Sequence, residues 1–163
     1  MAAGFTKHPK EIGVVMELVD GSVAMTLKPT AGDIGSLIGA NGIMHLSLRS
    51  VLTVFAARGG FGFHLAPIIE PKDRTPLPDN GTKPMTIEQI GDLFTFVCEN
   101  IFEKVHAWSW EHDKRRSNIC LMISKNEARK IADVQLEESL SRIFNAIGHC
   151  NGRKIYAVLE RCK

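Results

Sequence analysis

Neither sign of charge dominates this chain of 163 residues, which has 20 basic and 18 acidic side chains and a formal net charge of +2. This balance excludes a strong overall basic field of the kind that attracts nucleic acid from a distance. The excess of positive charge lies in residues 118–163, which contain eight basic and five acidic side chains. Solvated helix faces and a phosphate-binding surface are both open as explanations of that excess.

Cysteine pairs at metal-binding spacing are also missing. The four cysteines, Cys98, Cys120, Cys150 and Cys162, form no C-x-x-C motif and have no histidine partners at zinc spacing. We therefore expect no metal site, and reduced thiols in a cytoplasmic setting. Residues 1–10 lack the apolar core of a signal peptide, and no apolar run approaches the length of a membrane span, so we expect no membrane partner.

Motifs of catalysis are absent as well. The sequence contains no H-E-x-x-H, G-x-S-x-G, Walker A or Rossmann fingerprint, and its six histidines have no Cys or carboxylate partner at metal-ligand spacing. We therefore expect a protein that is not an enzyme, with no catalytic residue and no cofactor.

The patterns that are present predict an α+β protein made of two parts. Residues 1–11 are expected to be a flexible N-terminus, and 12–70 a first folded unit. Residues 71–85 contain four prolines and almost no apolar periodicity, which is typical of a linker or a long exposed loop. Residues 86–163 are then a C-terminal αβ unit.

The first unit is predicted to have the order ββααβ. Two β-rich segments, 12–19 and 22–27, are joined by Asp20-Gly21, a strong signal for a type I′ hairpin turn. Helices are predicted over 31–38 and 43–57. A continuous apolar stripe on the second helix predicts its buried face, and 61–70 should form a strand.

The second unit is predicted to have the order αββαβ. Thr86 and Gln89 form a capping-box pattern at a helix start. Strands are predicted over 105–110, 118–123 and 154–159, with a long helix over 125–147. Because the second unit contains no G-x-x-G and shows no residue-level repeat of the first, we favour an extension packed on the first unit's sheet over a degenerate second copy of that unit.

The most informative motif is Gly39-Ala40-Asn41-Gly42, which lies between the two predicted helices of the first unit. Glycine has no Cβ, so it adopts positive φ easily and lets another backbone approach closely. The unpaired amides at the start of the second helix lie at the positive end of its dipole, which favours a phosphate there. The plainer alternative is that the two glycines only permit a tight corner between packed helices.

The residues around this motif resemble the short bacterial type of KH domain, with type II topology, over about residues 12–70. The matching positions are Thr30, Asp33, Ile34, Gly35, Leu37, Ile38, Gly39, Gly42, Leu48, Arg49, Ser50, Val51 and Leu52. The resemblance implies a G-x-x-G loop that clamps the backbone of a single-stranded nucleic acid, with the bases on an apolar groove. The family usually has a Lys or Arg at one of the two middle positions, where this chain has Ala40 and Asn41.

On this resemblance, two sets of residues are candidates for the interface. The RNA-binding set is Gly39, Ala40, Asn41, Gly42, Ile38, Ile43, Lys28, Arg49 and Arg58. Ile34 and Leu46 would complete one wall of the groove, and Phe61 and Phe63 the other. Lys114, Arg115 and Arg116 are candidates for secondary phosphate contacts. Trp108 and Trp110 could stack on bases, but their spacing of two favours one face of a strand, and therefore the core.

The sequence thus favours non-catalytic binding of single-stranded RNA, either messenger or ribosomal, with low sequence specificity. Homo-oligomerisation is open. The alternatives are a self-assembling scaffold or interaction protein with a KH-like fold, and a ribosome-associated assembly factor. A small phage-encoded RNA-binding protein is also compatible with these patterns.

Overall fold

A computed structural model describes residues 4, 6–68, 84–102, 105–112, 116–123, 134–152 and 154–161. Within these ranges the chain forms four α-helices and six β-strands, which confirms the predicted α+β class. The strands lie in two separate three-stranded sheets, and the helices pack between and against them.

The first sheet consists of β1 (Gly13–Val19), β2 (Ser22–Lys28) and β3 (Gly62–Leu65), in that order. β1 pairs antiparallel with β2 through the predicted hairpin, and β2 pairs parallel with β3. Both turn residues of the hairpin, Asp20 and Gly21, have positive φ, as a type I′ turn requires. β1 and β3 are therefore the two edges of this sheet.

Two helices connect β2 to β3. The first, α1 (Ile34–Ile38), is short, and the second, α2 (Ile43–Arg58), packs over β3. Met44, Leu48 and Val51 are buried, as the predicted apolar stripe requires. α2 ends where Gly60 adopts a φ of 77° and the amide of Phe61 donates to the carbonyl of Ala56 at 2.9 Å, a glycine-dependent way of satisfying the last carbonyls of a helix.

The second half begins with α3 (Ile87–Ile101), whose predicted capping box is present between Thr86 and Gln89. β4 (Val105–His112), β5 (Arg116–Ile123), α4 (Val134–Cys150) and β6 (Lys154–Arg161) follow. β4 is antiparallel to β5, and β5 is parallel to β6. The predicted long helix over 125–147 is confirmed from Val134 onward, and its first residues lie outside the described ranges.

One expectation is wrong. The C-terminal half does not pack onto the first sheet but forms its own, with the order β4-β5-β6. Each sheet is a hairpin whose second strand pairs in parallel with the strand that follows the next long helix, so the halves repeat one topology. A strand–helix–strand connection returns beside its own first strand. Because this rule depends only on the order of strands and helices, two segments with unrelated sequences can have the same topology.

The helices join the two halves into one hydrophobic core. α2 packs against α4 and against α3. Val51 of α2, Phe94 of α3 and Ile143 of α4 are fully buried members of the same cluster. The rings of Phe94 and Phe144 meet edge to face, with their centroids 4.9 Å apart. The predicted linker, 71–85, falls almost entirely outside the described ranges.

The N-terminal segment, expected to be flexible, has specific partners where the structure describes it. The fully buried carboxylate of Asp33 accepts hydrogen bonds from the amides of Lys7 (2.6 Å) and His8 (3.0 Å) and from the hydroxyl of Thr30 (2.9 Å). Nδ1 of His8 lies 3.2 Å from the same carboxylate. A buried carboxylate requires such donors, and the sequence gives no sign that they come from 25 residues upstream.

One helical stretch in the described residues, Ile34–Arg58, is long and apolar enough by composition to cross a membrane. It is not one continuous helix, because Gly39, Asn41 and Gly42 all have positive φ. α2 alone has 16 residues, fewer than the roughly 20 that a span requires. Met44, Leu48 and Val51 of α2 face the core of the protein, whereas Ile43 and Leu46 are exposed.

Candidate nucleic-acid interface

The G-x-x-G segment forms a tight turn between α1 and α2. Gly39 has φ 70° and ψ 175°, Asn41 has φ 54° and Gly42 has φ 76°. Three of the four residues therefore have backbone conformations that side chains with a Cβ rarely adopt. Asn is one of the few non-glycine residues that tolerates the left-handed region.

The two glycines are required for different reasons. A Cβ on Gly39 would lie 2.8 Å from Cβ of Met44 and 3.0 Å from its amide nitrogen, so the turn is pressed directly against the first turn of α2. A Cβ on Gly42 would meet no atom within 4 Å. Only its positive φ favours glycine there. Gly39 is thus fixed by packing and conformation together, and Gly42 by conformation alone.

The tip of the turn is open to solvent. Ala40 and Asn41 are exposed, while Gly39 and Gly42 are half-buried. The amide of Gly42 donates to the carbonyl of Gly39 at 3.3 Å, and the amide of Ile43 donates to the carbonyl of Ala40. The turn therefore has a helix on each side, and nothing in the described part of the chain covers its tip.

Apolar side chains surround the turn on the helical side. Ile34 and Ile38 of α1 are half-buried, and Ile43 at the start of α2 is exposed. Leu46, one turn further along α2, is 54% exposed. These positions leave apolar surface beside the turn on which an unstacked base could pack.

The other predicted wall is only partly available. Phe61 is exposed just before β3, whereas Phe63 packs against the hydrophobic core. His45, which lies on the neighbouring face of α2, uses Nε2 to bond the carbonyl of Ala66 at 3.1 Å. That bond fastens α2 to the chain that follows β3.

The three cations of the first unit differ in their surroundings. Lys28 is exposed at the end of β2, and Arg49 is exposed on α2. Arg58 donates from its guanidinium to the carbonyl of Glu99 at 3.2 Å. Glu99 lies in the last turn of α3, where unpaired carbonyls attract a cation. Arg58 therefore has a structural partner, which the sequence did not predict.

The remaining candidates cannot be placed as side chains. Lys114 and Arg115 lie outside the described residues. Arg116 begins β5, and Trp108 and Trp110 share one face of β4 by their spacing, but their side chains also lie outside the description. The expectation of secondary phosphate contacts therefore stays a prediction.

Neither of the two thiols that the structure describes, Cys98 and Cys150, is activated as a nucleophile. Burial raises the pKa of the Cys98 thiol to about 12, so it is protonated at neutral pH. The pKa of Cys150 is also raised, first by burial and then by Asp33. Among the described residues, no group of three His, Cys, Asp or Glu side chains is placed to hold a metal ion.

A groove between α2 and α4, of about 520 Å³, was not predicted from the sequence. Ile43 and Leu46 lie at its end nearest the G-x-x-G turn, and Arg49 lines it further along α2. The opposite wall, from α4, includes Leu136 and Arg142. Leu46 and Arg49 were both candidates from the sequence, but the sequence did not indicate which helix would lie opposite them.

A scan against protein-family models finds no match for this chain, and a search of curated proteins finds no similar one. The geometry of the turn and its surroundings is therefore the basis for assigning a function.

Proposed function

We propose that this protein binds single-stranded RNA through the Gly39–Gly42 turn, in the manner of a KH domain. The observation that carries this proposal is the turn itself, which is solvent-exposed at its tip, glycine-dependent and flanked by two helices. The order ββααβ of the first unit supports the proposal, since it is that of a type II KH fold without its first helix. The proposal concerns binding, and we assign no reaction to the site.

The turn suits a sugar–phosphate backbone for two physical reasons. Because Gly42 has no Cβ and the space beside it is open, a strand can approach its main chain closely. The start of α2 adds the positive end of a helix dipole, which favours negative charge in its first turn. The absence of a cation at Ala40 and Asn41 makes this grip weaker than one with a charged loop.

The bases would lie on the apolar surface formed by Ile38, Ile43 and Leu46. Stacking and apolar contact do not distinguish bases strongly, because every base has a π-face. Hydrogen-bonding side chains that could read base edges are few around the turn. We therefore expect low sequence specificity.

Replacing both middle residues, Ala40→Asp with Asn41→Asp, should lower the affinity for single-stranded RNA at least tenfold. Two carboxylates at the tip would place like charge against phosphate, at a cost of about 1.4 kcal/mol or more for a tenfold loss. The measurement is the Kd for a short fluorescent RNA at two salt concentrations, with single-stranded DNA of the same sequence alongside. Circular dichroism checks that the variant is folded.

The matched control is Gln89→Glu with Asn100→Asp on α3. Both positions are exposed, the same two negative charges are added, and Glu at position 89 keeps the capping box. We expect the control to bind within about twofold of the wild type at moderate salt, where distant charges are screened. Equal affinity of the folded turn variant and the control would remove the turn from the binding mechanism.

A second candidate function, self-assembly through the first sheet, is favoured by one observation. Edge strand β1 exposes Met16 and Leu18 at 64% and 68% of their surface. β1 pairs only with β2 among the strands that the structure describes, and an apolar edge of this kind is a template for pairing with another chain. An apolar interface would persist at high salt, where phosphate binding weakens, so the salt dependence of the two properties separates the candidates.

A further inference from the structure

The groove between α2 and α4 begins at the proposed RNA-binding turn. Ile43, the residue directly after Gly42, is one of its lining residues, and the groove continues past Leu46 to Thr53. From Ile43 to Arg49 the axis of α2 advances about 9 Å. A stacked single strand with a rise of about 3.4 Å would place roughly three further nucleotides along that distance.

Two arginines from different halves of the chain line this groove. Arg49 on α2 is exposed, and its guanidinium has no hydrogen bond or ion pair with any residue that the structure describes. Arg142 on α4 pairs with Glu138, one turn earlier on the same helix, at 2.7 Å. Both members of that pair are substantially exposed, so the pair is easily exchanged for another partner.

Two hydroxyl groups that line the groove are already bonded within their own helix. Ser47 and Thr53 donate their hydroxyls to carbonyls of their own helix, at 2.9 Å and 2.8 Å. Glu138 is the one carboxylate among the groove's described lining residues, against two guanidinium groups. The groove therefore combines a modest positive charge with the apolar side chains of Ile43 and Leu46.

We propose that this groove holds the phosphodiester backbone of the same RNA strand beyond the four nucleotides held at the turn, with Arg49 and Arg142 as phosphate contacts. The inference rests on the proposed function of the Gly39–Gly42 turn. It gives the C-terminal half of the chain a direct part in binding, since α4 supplies one wall. Guanidinium groups suit this role, because they offer several donors in a fixed geometry that matches phosphate.

Glu138 modulates the groove. It positions Arg142 in the free protein, but it also subtracts one unit of charge from a surface that contacts phosphates. When RNA binds, Arg142 exchanges the carboxylate for a phosphate oxygen, and Glu138 is left near the strand as a like charge. Its removal should therefore strengthen the binding of a strand long enough to enter the groove.

The test compares the binding of a short RNA of about four nucleotides, which fills only the turn, with that of a strand about three times as long. The double variant Arg49→Gln with Arg142→Gln should lower the affinity for the long strand about tenfold. Its affinity for the short strand should stay within about twofold of the wild-type value. Each lost phosphate contact should also reduce the slope of log K against log salt by roughly 0.7. Glu138→Gln should tighten the long strand severalfold without affecting the short one.

The control for lost positive charge is Lys10→Gln with Lys154→Gln, two exposed lysines that do not line the groove. A length-independent loss in the arginine variant, equal to that of the lysine control, would overturn the groove as a strand path. An unchanged affinity for the long strand would overturn it as well.

Failure of the groove and failure of the turn give different results. The Ala40→Asp with Asn41→Asp variant should lose affinity for both the short and the long RNA, because both strands need the anchor at the turn. If that variant binds normally while the arginine variant loses affinity for the long RNA, the turn is not the anchor. An RNA path that runs from the turn into the groove is then excluded.

Discussion

At the scale of single residues, the Gly39–Gly42 turn depends on glycine for steric reasons at one position and for conformational reasons at another. Gly39 is enclosed by the first turn of α2, whereas Gly42 faces open space. Asn41 holds a positive φ without being glycine, which explains why an asparagine and not a β-branched residue stands there. The positions of the Gly39–Gly42 turn therefore differ in which other residues they can tolerate.

Gly39→Ala should destabilise the protein more than Gly42→Ala. At position 42 the cost is left-handed backbone strain alone, about 1 kcal/mol. At position 39 a Cβ would add a steric clash with Met44 to a conformation that only glycine adopts readily, for a total of roughly 3 kcal/mol. Urea unfolding of the two variants measures the difference.

Equal losses in the two variants would mean that Gly39 is not pressed against α2 as described. Asn41→Gly is the companion variant, because it relieves strain at the same turn without adding atoms. It should leave the free energy of unfolding unchanged to within about 1 kcal/mol.

Asp33 shows how a residue noticed for one reason can serve another. In the sequence it was only one of the positions that match the KH pattern before the first short helix. In the structure its carboxylate is fully buried and holds the N-terminal segment through Lys7 and His8. It supports the start of α1 from beneath the surface.

At the scale of elements, β1 is the strand with the most exposed apolar residues in the first sheet, the sheet whose side-chain burial the structure describes. Val14, Met16 and Leu18 pair across the hairpin with Leu27, Met25 and Val23, so these rows share one face of the sheet. Leu27 on that face is buried, but β1 lies at the edge, away from β3, over which α2 packs. The apolar row of β1 therefore extends beyond the cover that the helices provide.

If β1 pairs with a second copy of the chain, Met16→Lys with Leu18→Lys should raise the dimer dissociation constant at least tenfold. Lysine on an exposed edge opposes strand pairing, because charges would face each other across the new ladder. Sedimentation equilibrium over a range of concentrations measures the effect, with Asn100→Lys on α3 and Asn145→Lys on α4, both at exposed positions, as the control for added charge. A wild-type chain that stays monomeric at high concentration would remove self-assembly through β1.

At the scale of the whole molecule, the two sheets are separate but the core is shared. Phe94 of α3 and Phe144 of α4 are in edge-to-face contact, and α2 of the first half packs against α4 of the second. Two units that bury their helices against each other should unfold together. Neither half is then expected to be an independent domain.

Phe144→Ala should lower the free energy of unfolding by about 3–5 kcal/mol, because it opens a cavity at a fully buried aromatic position. The loss should affect both halves in one cooperative transition. Thermal unfolding followed at 222 nm and by hydrogen exchange in β2 and β6 measures this. Two separate transitions, with only the second half shifted, would contradict a shared core.

The sequence by itself determined the features that depend on near neighbours. The hairpin at Asp20-Gly21, the buried stripe of α2 and the capping box at Thr86 each arise from residues within one or two turns of one another. The tight turn at Gly39–Gly42 belongs to the same class, since positive φ is a local requirement. The proposal that this turn binds RNA is inferred from its exposed tip and its glycine-dependent backbone.

Only the tertiary structure decided which distant segments meet. The N-terminal partners of Asp33, the partner of Arg58, the parallel pairing of β5 with β6 and the groove between α2 and α4 join residues that lie from 25 to about 100 positions apart. No local pattern encodes such pairings, because they depend on how whole apolar faces fit against each other when they leave water. The packing of α2 against α4 placed Arg49 and Arg142 on opposite walls of one groove. It thereby brought the C-terminal half next to the Gly39–Gly42 turn.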